Sequence, residues 1–363
     1  MVTSSSDKQF DRCHLWKVFM MKKYVIILIL GGIIFPSEIS AQGLNIPAKH
    51  WGLSFGNSTQ FSGFRINVIE KDIQTINGIN ISVWQNKTSE RQTGTFNGFG
   101  VGLPLAAGTA NRNGLSFGLF GVGATHNLNG INLGILGVGA GNHATGINIG
   151  GLGVGSGGNL TGLNIGGLGV GSGGNVSGIN IGGLGVGSGQ DVKGLSLALL
   201  GVGAGRDLVG INLAGLGVGS GTNVTGFNIG GLAVGAGEKL RGVNLSVLAV
   251  GAGQTLSGLS LAGLATGSQV VQGVQISLVS GGVQVTGMTI APAYFTVRAE
   301  GEDAFMRGLA ISAFNHIQGN QYGVAIGVFN FAYQVRGVQL GILNHVKSNP
   351  RGLRWLPIFN TRF

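Results

Sequence analysis

A strict period of sixteen residues constrains the fold of this chain more than any other feature of its sequence. Eleven glycines, from Gly98 to Gly258, recur at that spacing, and each opens a near-copy of one unit, such as TGINIGGLGVGSGGNL at residues 145–160. Self-similarity at a fixed interval without insertions indicates stacked units, each of which buries its apolar side against the next. Because the repeat runs through most of the 363 residues, we predict a single elongated domain.

The composition indicates a folded protein with few charges. There are 73 glycines without the triplet period of collagen, and the 43% hydrophobic fraction is too high for a disordered linker. Only 9% of the residues are charged, and the net charge of +10 is spread without a stripe of Lys and Arg interleaved with aromatic residues. We therefore expect no nucleic-acid partner.

The N-terminal segment predicts export. Residues 21–41 follow the order of a signal peptide: Lys22 and Lys23 precede an apolar stretch at residues 24–35, and Ser40 and Ala41 lie at a cleavage site of small residues. The apolar stretch is too short for a stable transmembrane helix, which needs about 20 residues. We therefore expect the segment to be removed.

The predicted mature chain begins at Gln42. Residues 1–20 are polar and irregular, so we expect them to be unstructured or to precede the true start, at Met20 or Met21. The only cysteine, Cys13, lies in this segment. The mature chain would thus contain no disulfide, no thiol nucleophile and no cysteine that could carry a lipid.

Within one unit, the large apolar residues follow the period of a strand. Ile147 and Ile149 are two apart, Leu152 follows after three, and Val154 after two more. We predict that the chain bends at residues 150–151, because glycine accepts the backbone angles of a corner. This bend would direct all four side chains into one interior.

Two all-β architectures fit such units, a β-solenoid and an outer-membrane β-barrel. In the solenoid each unit is one coil, and equivalent residues stack about 4.8 Å apart, which predicts an aliphatic ladder and an amide ladder. The aliphatic ladder would contain Ile147, Leu163, Ile179, Leu195, Ile211, Phe227, Val243 and Leu259. The amide ladder would contain Asn148, Asn164, Asn180, Asn212, Asn228 and Asn244, interrupted by Ser196 and Ser260.

In the barrel, each unit would be one strand of about ten residues and a turn. Neighbouring barrel strands run in opposite directions, yet odd and even units look the same here, which favours the solenoid. The aromatic carboxyl terminus at Phe363 is typical of barrels and keeps that alternative open.

The repeat divides the chain into three zones. We predict N-terminal cap repeats at residues 42–97, regular repeats at residues 98–272, and irregular, aromatic-rich repeats ending in a cap at residues 273–363. Terminal units of arrays are commonly atypical because they close an open apolar end.

The Gly-hydrophobic-Asn/Gln-hydrophobic-Gly units, the later copies that end in Asn, and the final LPIFNTRF resemble a family of surface-repeat proteins from Gram-negative bacterial envelopes. The resemblance covers roughly residues 50 to 363. It implies export to the cell surface or the outer membrane, with envelope or surface partners and no catalytic motif. The function expected from it is structural or interactive rather than enzymatic. The alternative is a barrel that passes or binds small solutes.

Motifs that could carry chemistry are weak in this sequence. Residues 153–158 match the dinucleotide pattern G-x-G-x-x-G, but that pattern needs a preceding strand and a following helix N-terminus. Calcium-binding solenoids need an aspartate in nearly every turn, whereas the regular block offers only Asp191 and Asp207. We predict no cofactor from these motifs.

Clusters of titratable residues are also few. Glu300, Glu302 and Asp303 could hold a cation or act as paired carboxylates, but a solvated loop is the favoured interpretation. The histidines lack metal-ligand spacing and are expected in turns or at rims: His50, His126, His143, His316 and His345. We therefore predict no catalytic, cofactor-binding or metal-binding residues.

Overall fold

The structure, a computed structural model of the chain, describes residues 43–70, 72–84, 93–298 and 303–362. Residues from Gly43 onward form one compact unit. The predicted signal peptide at residues 21–41, the preceding residues 1–20 with Cys13, and the carboxylates Glu300 and Glu302 lie outside the described residues.

The described residues form β-strands and one short 3₁₀ helix, and the strands are numbered along the chain. The first part contains β1 Leu44–Ala48, β2 Trp51–Phe55, β3 Gln60–Asn67, β4 Thr75–Ser82, β5 Thr95–Gly102, β6 Leu105–Ala106, β7 Asn111–Gly118, β8 Gly121–Ala124, β9 Asn127–Gly134 and β10 Gly137–Ala140. The middle contains β11 His143–Gly150, β12 Gly153–Ser156, β13 Leu160–Gly166, β14 Gly169–Ser172, β15 Val176–Gly182, β16 Gly185–Ser188, β17 Val192–Ala198, β18 Gly201–Ala204, β19 Leu208–Ala214, β20 Gly217–Ser220, β21 Asn223–Gly230 and β22 Ala233–Ala236. The last part contains β23 Lys239–Ser246, β24 Ala249–Ala252, β25 Thr255–Ala262, β26 Ala265–Gly267, β27 Val270–Ile276, β28 Val279–Gly282, β29 Gln284–Ile290, β30 Tyr294–Val297, β31 Phe305–Ile311, β32 Phe314–Val346, the 3₁₀ helix Arg351–Leu353 and β33 Trp355–Asn360.

These strands form a β-solenoid. Each regular coil consists of one long strand and one short strand, and each strand pairs in parallel with its counterpart sixteen residues away. In β11 and β13, for example, Ile147 pairs with Leu163, and in β12 and β14 Val154 pairs with Val170. The solenoid predicted from the period is confirmed. The alternative prediction of a barrel is wrong, because its neighbouring strands would run antiparallel.

The glycine that opens each unit is required by the geometry of the coil. At Gly146 the backbone angle φ is +119°, a value that side chains of L residues rarely adopt. A Cβ at Gly146 would also lie 2.1 Å from the carbonyl oxygen of Gly130 in the preceding coil. The same positive φ recurs at every coil from Gly52 to Gly323, so the glycine column continues beyond the regular zone.

The interior differs from the predicted one. Asn148 and Val154 are buried, whereas Leu152 is 50% exposed at the corner between β11 and β12. Ile147 and Ile149 flank Asn148 in the strand, and they face outward and are partly exposed. The predicted bend at residues 150–151 exists, but it does not bring the isoleucines and Leu152 into the interior.

Three columns of side chains fill the coils. The leucine column comprises Leu128, Ala144, Leu160, Val176, Val192, Leu208, Val224, Leu240 and Leu256. The valine column comprises Val122, Val138, Val154, Val170, Val186, Val202, Val218, Val234 and Val250. The asparagine column comprises Asn132, Asn148, Asn164, Asn180, Ser196, Asn212, Asn228, Asn244 and Ser260. The first two columns supply the apolar core, and the third is polar and equally buried.

The asparagine column is stable inside because its amides satisfy one another. Nδ2 of Asn148 donates to Oδ1 of Asn164 at 2.9 Å, and the same bond joins Asn164 to Asn180. Parallel stacking places each amide beside an identical one, which removes the cost of burying an unpaired polar group. The predicted amide ladder is confirmed, including its interruptions at Ser196 and Ser260.

The interruption at Ser196 offers a way to stabilise the fold. Nδ2 of Asn180 and Oδ1 of Asn212, on the two sides of Ser196, have no hydrogen-bond partner. We expect Ser196→Asn to join the two ladders and to raise the free energy of unfolding by about 1 to 2 kcal/mol, since it pairs both groups. Thermal unfolding followed by circular dichroism would measure the change. A lower midpoint than that of the wild-type protein would contradict this account.

An antiparallel strand closes the solenoid at each end. β1 pairs with β2, and β33 pairs with β32, whereas every other pair among the described strands is parallel. Both closing strands contain a proline, Pro47 and Pro357, a residue that sheets tolerate mainly in edge strands.

Within the described ranges, no helix reaches the length and apolarity that crossing a membrane requires.

Candidate interaction surface

The long strands carry two adjacent outward columns that are entirely apolar, and we call them together the aliphatic face. The first column contains Leu53, Phe64, Ile79, Phe99, Leu115, Ile131, Ile147, Leu163, Ile179, Leu195, Ile211, Phe227, Val243, Leu259, Val274, Met288, Leu309 and Val324. The second contains Phe55, Ile66, Ile81, Val101, Phe117, Leu133, Ile149, Ile165, Ile181, Leu197, Leu213, Ile229, Leu245, Leu261, Ile276, Ile290, Ile311 and Ile326. The predicted aliphatic ladder is part of the first column, but it lies on the outer surface rather than in the core.

The aliphatic face is large for an exposed apolar surface. With coils about 4.8 Å apart, eighteen coils extend over roughly 80 Å. Ile179 and Ile211 are 45% and 48% exposed, and a further row of exposed leucines, such as Leu152 and Leu168, lies at the adjoining corner. Monomeric soluble proteins rarely expose a continuous apolar patch of more than a few hundred Å², and larger patches mark interaction sites.

Large side chains at the corner after the long strands and one groove interrupt the regularity of this face. Val247 is 63% exposed between Gly231 and Gly263 of the neighbouring coils, and Leu199 lies nearer the middle of the face. Leu199 is 70% exposed at the corner after β17, whereas Gly183 and Gly215 occupy the equivalent position in the two neighbouring coils. A shallow groove of about 390 Å³ lies beside Leu199. Its walls include Ile181, Leu197, Leu213 and Ile229 together with both glycines.

The short strands present a different outer surface. Their outward positions are mostly glycine, and at Gly171 and Gly187 a Cβ would meet only a backbone oxygen, 3.6 and 3.8 Å away. Neither residue has a positive φ. Side chains would therefore be tolerated here, which makes these positions useful controls for substitutions on the aliphatic face.

The candidate nucleotide and calcium motifs are parts of the coil. Residues 153–156 form β12, and β13 follows it, so the chain provides no helix N-terminus at this motif. Asp191 contacts Lys193 at 3.0 Å and Arg206 at 3.2 Å. The hydrogen bond from Lys193 holds the pKa of Asp191 below its usual value, and both cations add to this effect.

Asp207 is also engaged within the turns between coils. It accepts hydrogen bonds from Thr222 at 2.7 Å and from Asn223 at 2.8 Å, and these bonds lower its pKa. Both aspartates thus belong to a side-chain ladder along the turns. Asn159 and Asn175 continue this ladder, since each accepts a hydrogen bond from a backbone N–H in the next coil.

The other candidate residues remain separate in the structure. Asp303 is exposed, while Glu300 and Glu302 are not among the described residues. In the part of the chain that the structure describes, no group of three or more His, Cys, Asp and Glu side chains is arranged to hold a metal ion. His126 lies at a turn, as predicted, and Nδ1 of His143 accepts a hydrogen bond from the backbone of Asn159 at 3.0 Å.

His316 and His345 instead belong to a cluster of rings on the last coils. The ring of His345 stacks on Phe331 at 5.0 Å and lies 4.2 Å from the ring of Trp355. Nδ1 of His316 lies 2.9 Å from the hydroxyl of Tyr294. Burial lowers the pKa of both histidines, and the nearby cations Arg354 and Lys347 lower that of His345 further. These rings occupy the outward positions that are glycine in the short strands of the regular coils.

A buried polar cluster in the first coils was missed from the sequence. Arg65 is fully buried, donates to Asn80 at 2.9 Å and lies 3.7 Å from Glu70. Arg112 is 1% exposed, donates to Ser116 at 3.0 Å and stacks over the ring of Phe96 at 4.5 Å. Burial lowers the pKa of both arginines, against the opposing charge of Glu70. Asn80 and Phe96 lie in the adjoining coils, so the pattern within one unit does not mark these arginines.

No family model matches this chain, and the comparisons with curated proteins and with solved structures found no match.

Proposed function

We propose that this protein is a non-catalytic structural component of the bacterial cell envelope, which acts by holding its aliphatic face against an apolar partner surface. The observation that carries the proposal is the composition of that face: two adjacent columns remain apolar through eighteen successive coils. Burying such a surface is favourable by about 25 cal/mol per Å², so contact with an apolar partner is strongly driven.

The rigidity of the solenoid supports this role. Each coil pairs with its neighbours through two ladders of backbone hydrogen bonds and through a buried amide ladder. The aliphatic face is therefore preorganised, and little conformational entropy is lost when it binds. The envelope location rests on the signal peptide predicted at residues 21–41 and on the resemblance to envelope surface-repeat proteins.

Cell fractionation tests the proposal. In a Gram-negative host we expect the wild-type chain to start at Gln42 and to be recovered with the envelope. The double substitution Ile179→Glu and Ile181→Glu places two charges at the middle of the aliphatic face, and we expect it to release most of the protein into the soluble fraction.

The matched control uses the opposite side of the same coil. Gly185→Glu and Gly187→Glu introduce the same charges on the outer surface of β16, where the backbone leaves room for side chains. We expect this variant to fractionate like the wild-type protein. Recovery of the wild-type chain from the cytoplasm, or unchanged envelope retention of the Ile179 and Ile181 variant, would refute the proposed function.

A further inference from the structure

We propose that two copies of this chain pair through the middle of the aliphatic face, with Leu199 of each copy inserted into the groove of the other. This inference rests on the proposed function: it names the apolar partner surface as a second copy of the same chain, so that the pair is the form retained with the envelope and an unpaired chain is released.

The shape of the surface carries the inference. Leu199 projects where the neighbouring coils have Gly183 and Gly215, so a protruding side chain lies beside the groove that those glycines leave open. A projection and a hollow side by side on one surface complement a second copy of that surface. In an interface with two-fold symmetry, each copy contributes both halves of the contact.

The position and area of the surface fit such a pair. Leu199 belongs to the coil of Leu195, which is the tenth of the eighteen coils of the aliphatic face. A two-fold axis near Leu199 therefore places the N-terminal half of the face of one copy against the C-terminal half of the face of the other. A strip roughly 80 Å long and about 12 Å wide buries on the order of 2,000 Å² from both copies, which is in the range of stable dimers.

The surroundings of the face favour a protein partner over a lipid surface. Membrane-surface segments are anchored by Trp, Tyr, Lys and Arg beside their apolar side. Here no Trp or Tyr occurs between Trp84 and Tyr294. In the outward column that borders the face, from Trp51 to Tyr322, the basic residues are Lys193, Arg241 and Arg307.

Sedimentation equilibrium of the purified full-length chain without lipid tests the pairing. We expect a dimer for the wild-type protein. Leu199→Gly introduces the residue that neighbouring coils already have at this position, so the fold is retained, which circular dichroism would verify. Because each dimer loses two buried leucine side chains, we expect this variant to dimerise about a thousandfold more weakly.

The control variant Gly187→Glu, on the opposite surface, should dimerise like the wild-type protein. A monomeric wild-type chain, or an unchanged dimer of Leu199→Gly, would overturn the pairing. Flotation of the wild-type chain with phosphatidylcholine or phosphatidylglycerol vesicles, with loss of the dimer, would also overturn it but would leave the proposed function standing. The proposed function itself would fail in the fractionation experiment, where Ile179→Glu and Ile181→Glu would have no effect.

Discussion

The substitution Gly162→Ala is expected to destabilise the solenoid by about 4 kcal/mol. Gly162 has φ of +116°, and a Cβ there would lie 2.1 Å from the carbonyl oxygen of Gly146. Because that oxygen belongs to the backbone of the adjoining coil, the clash is relieved only by separating the two coils. Thermal unfolding followed by circular dichroism would measure the loss as a lower midpoint.

Gly171→Ala is the matched control for this experiment, since it lies in the following short strand. Its Cβ would be 3.6 Å from the nearest heavy atom, the carbonyl oxygen of Gly187, and its φ is not positive. We expect a midpoint within a degree or two of the wild-type value, corresponding to less than about 0.5 kcal/mol. Equal effects of the two substitutions would show that the positive φ at the opening glycine is not what the fold requires.

The substitution Asn164→Ala is expected to cost about 3 kcal/mol. It removes two buried hydrogen bonds and leaves Nδ2 of Asn148 and Oδ1 of Asn180 without partners in the core. A buried donor or acceptor that loses its partner costs about 1 to 3 kcal/mol. Chemical denaturation would measure the difference, and hydrogen exchange should show faster exchange in β11, β13 and β15 than in distant coils.

Asn113→Ala tests whether burial is responsible for that effect. Asn113 also lies in an amide ladder, donating to Asn97 at 2.8 Å and accepting from Asn129 at 2.9 Å, but this ladder lies on the outer surface. Water can replace the lost bonds there, so we expect a loss below about 1 kcal/mol. If Asn113→Ala destabilised the protein as much as Asn164→Ala, burial would not be the source of the effect.

The period alone predicted the architecture correctly. Identical units at a fixed spacing must make identical contacts, and parallel coils are the arrangement in which every unit has the same neighbours. The amide ladder followed from the same argument, because Asn148 recurs at the spacing of one coil. Its two interruptions, Ser196 and Ser260, could also be identified from the sequence.

The side of each long strand that faces the interior could not be predicted from the pattern. The alternation of Ile147, Asn148 and Ile149 shows that the two isoleucines lie on one side of the strand and Asn148 on the other. It does not show which of the two sides faces the interior. The usual rule, which buries isoleucine and exposes asparagine, gave the wrong choice. The structure reverses it because the stacked amides pair with each other, so a buried asparagine column carries little penalty.

The features at the ends of the solenoid were also beyond the reach of local patterns. Arg65 and Glu70 meet only because the chain turns between them, and the ring of His345 lies beside Trp355 because β33 folds back on β32. Such contacts depend on which coils adjoin and on how the chain closes. Residue spacing within one unit contains no information about either.

The sequence by itself determined that the chain forms stacked coils of sixteen residues, since a fixed period with a glycine at each opening position allows each unit to repeat the contacts of the last. Only the tertiary structure decided which side of the long strands faces solvent. In-register stacking provides hydrogen-bond partners for the side-chain amides of the buried asparagines. Ile147, Ile149 and their counterparts therefore lie on the outer surface. The largest apolar surface of the protein is therefore available to a partner.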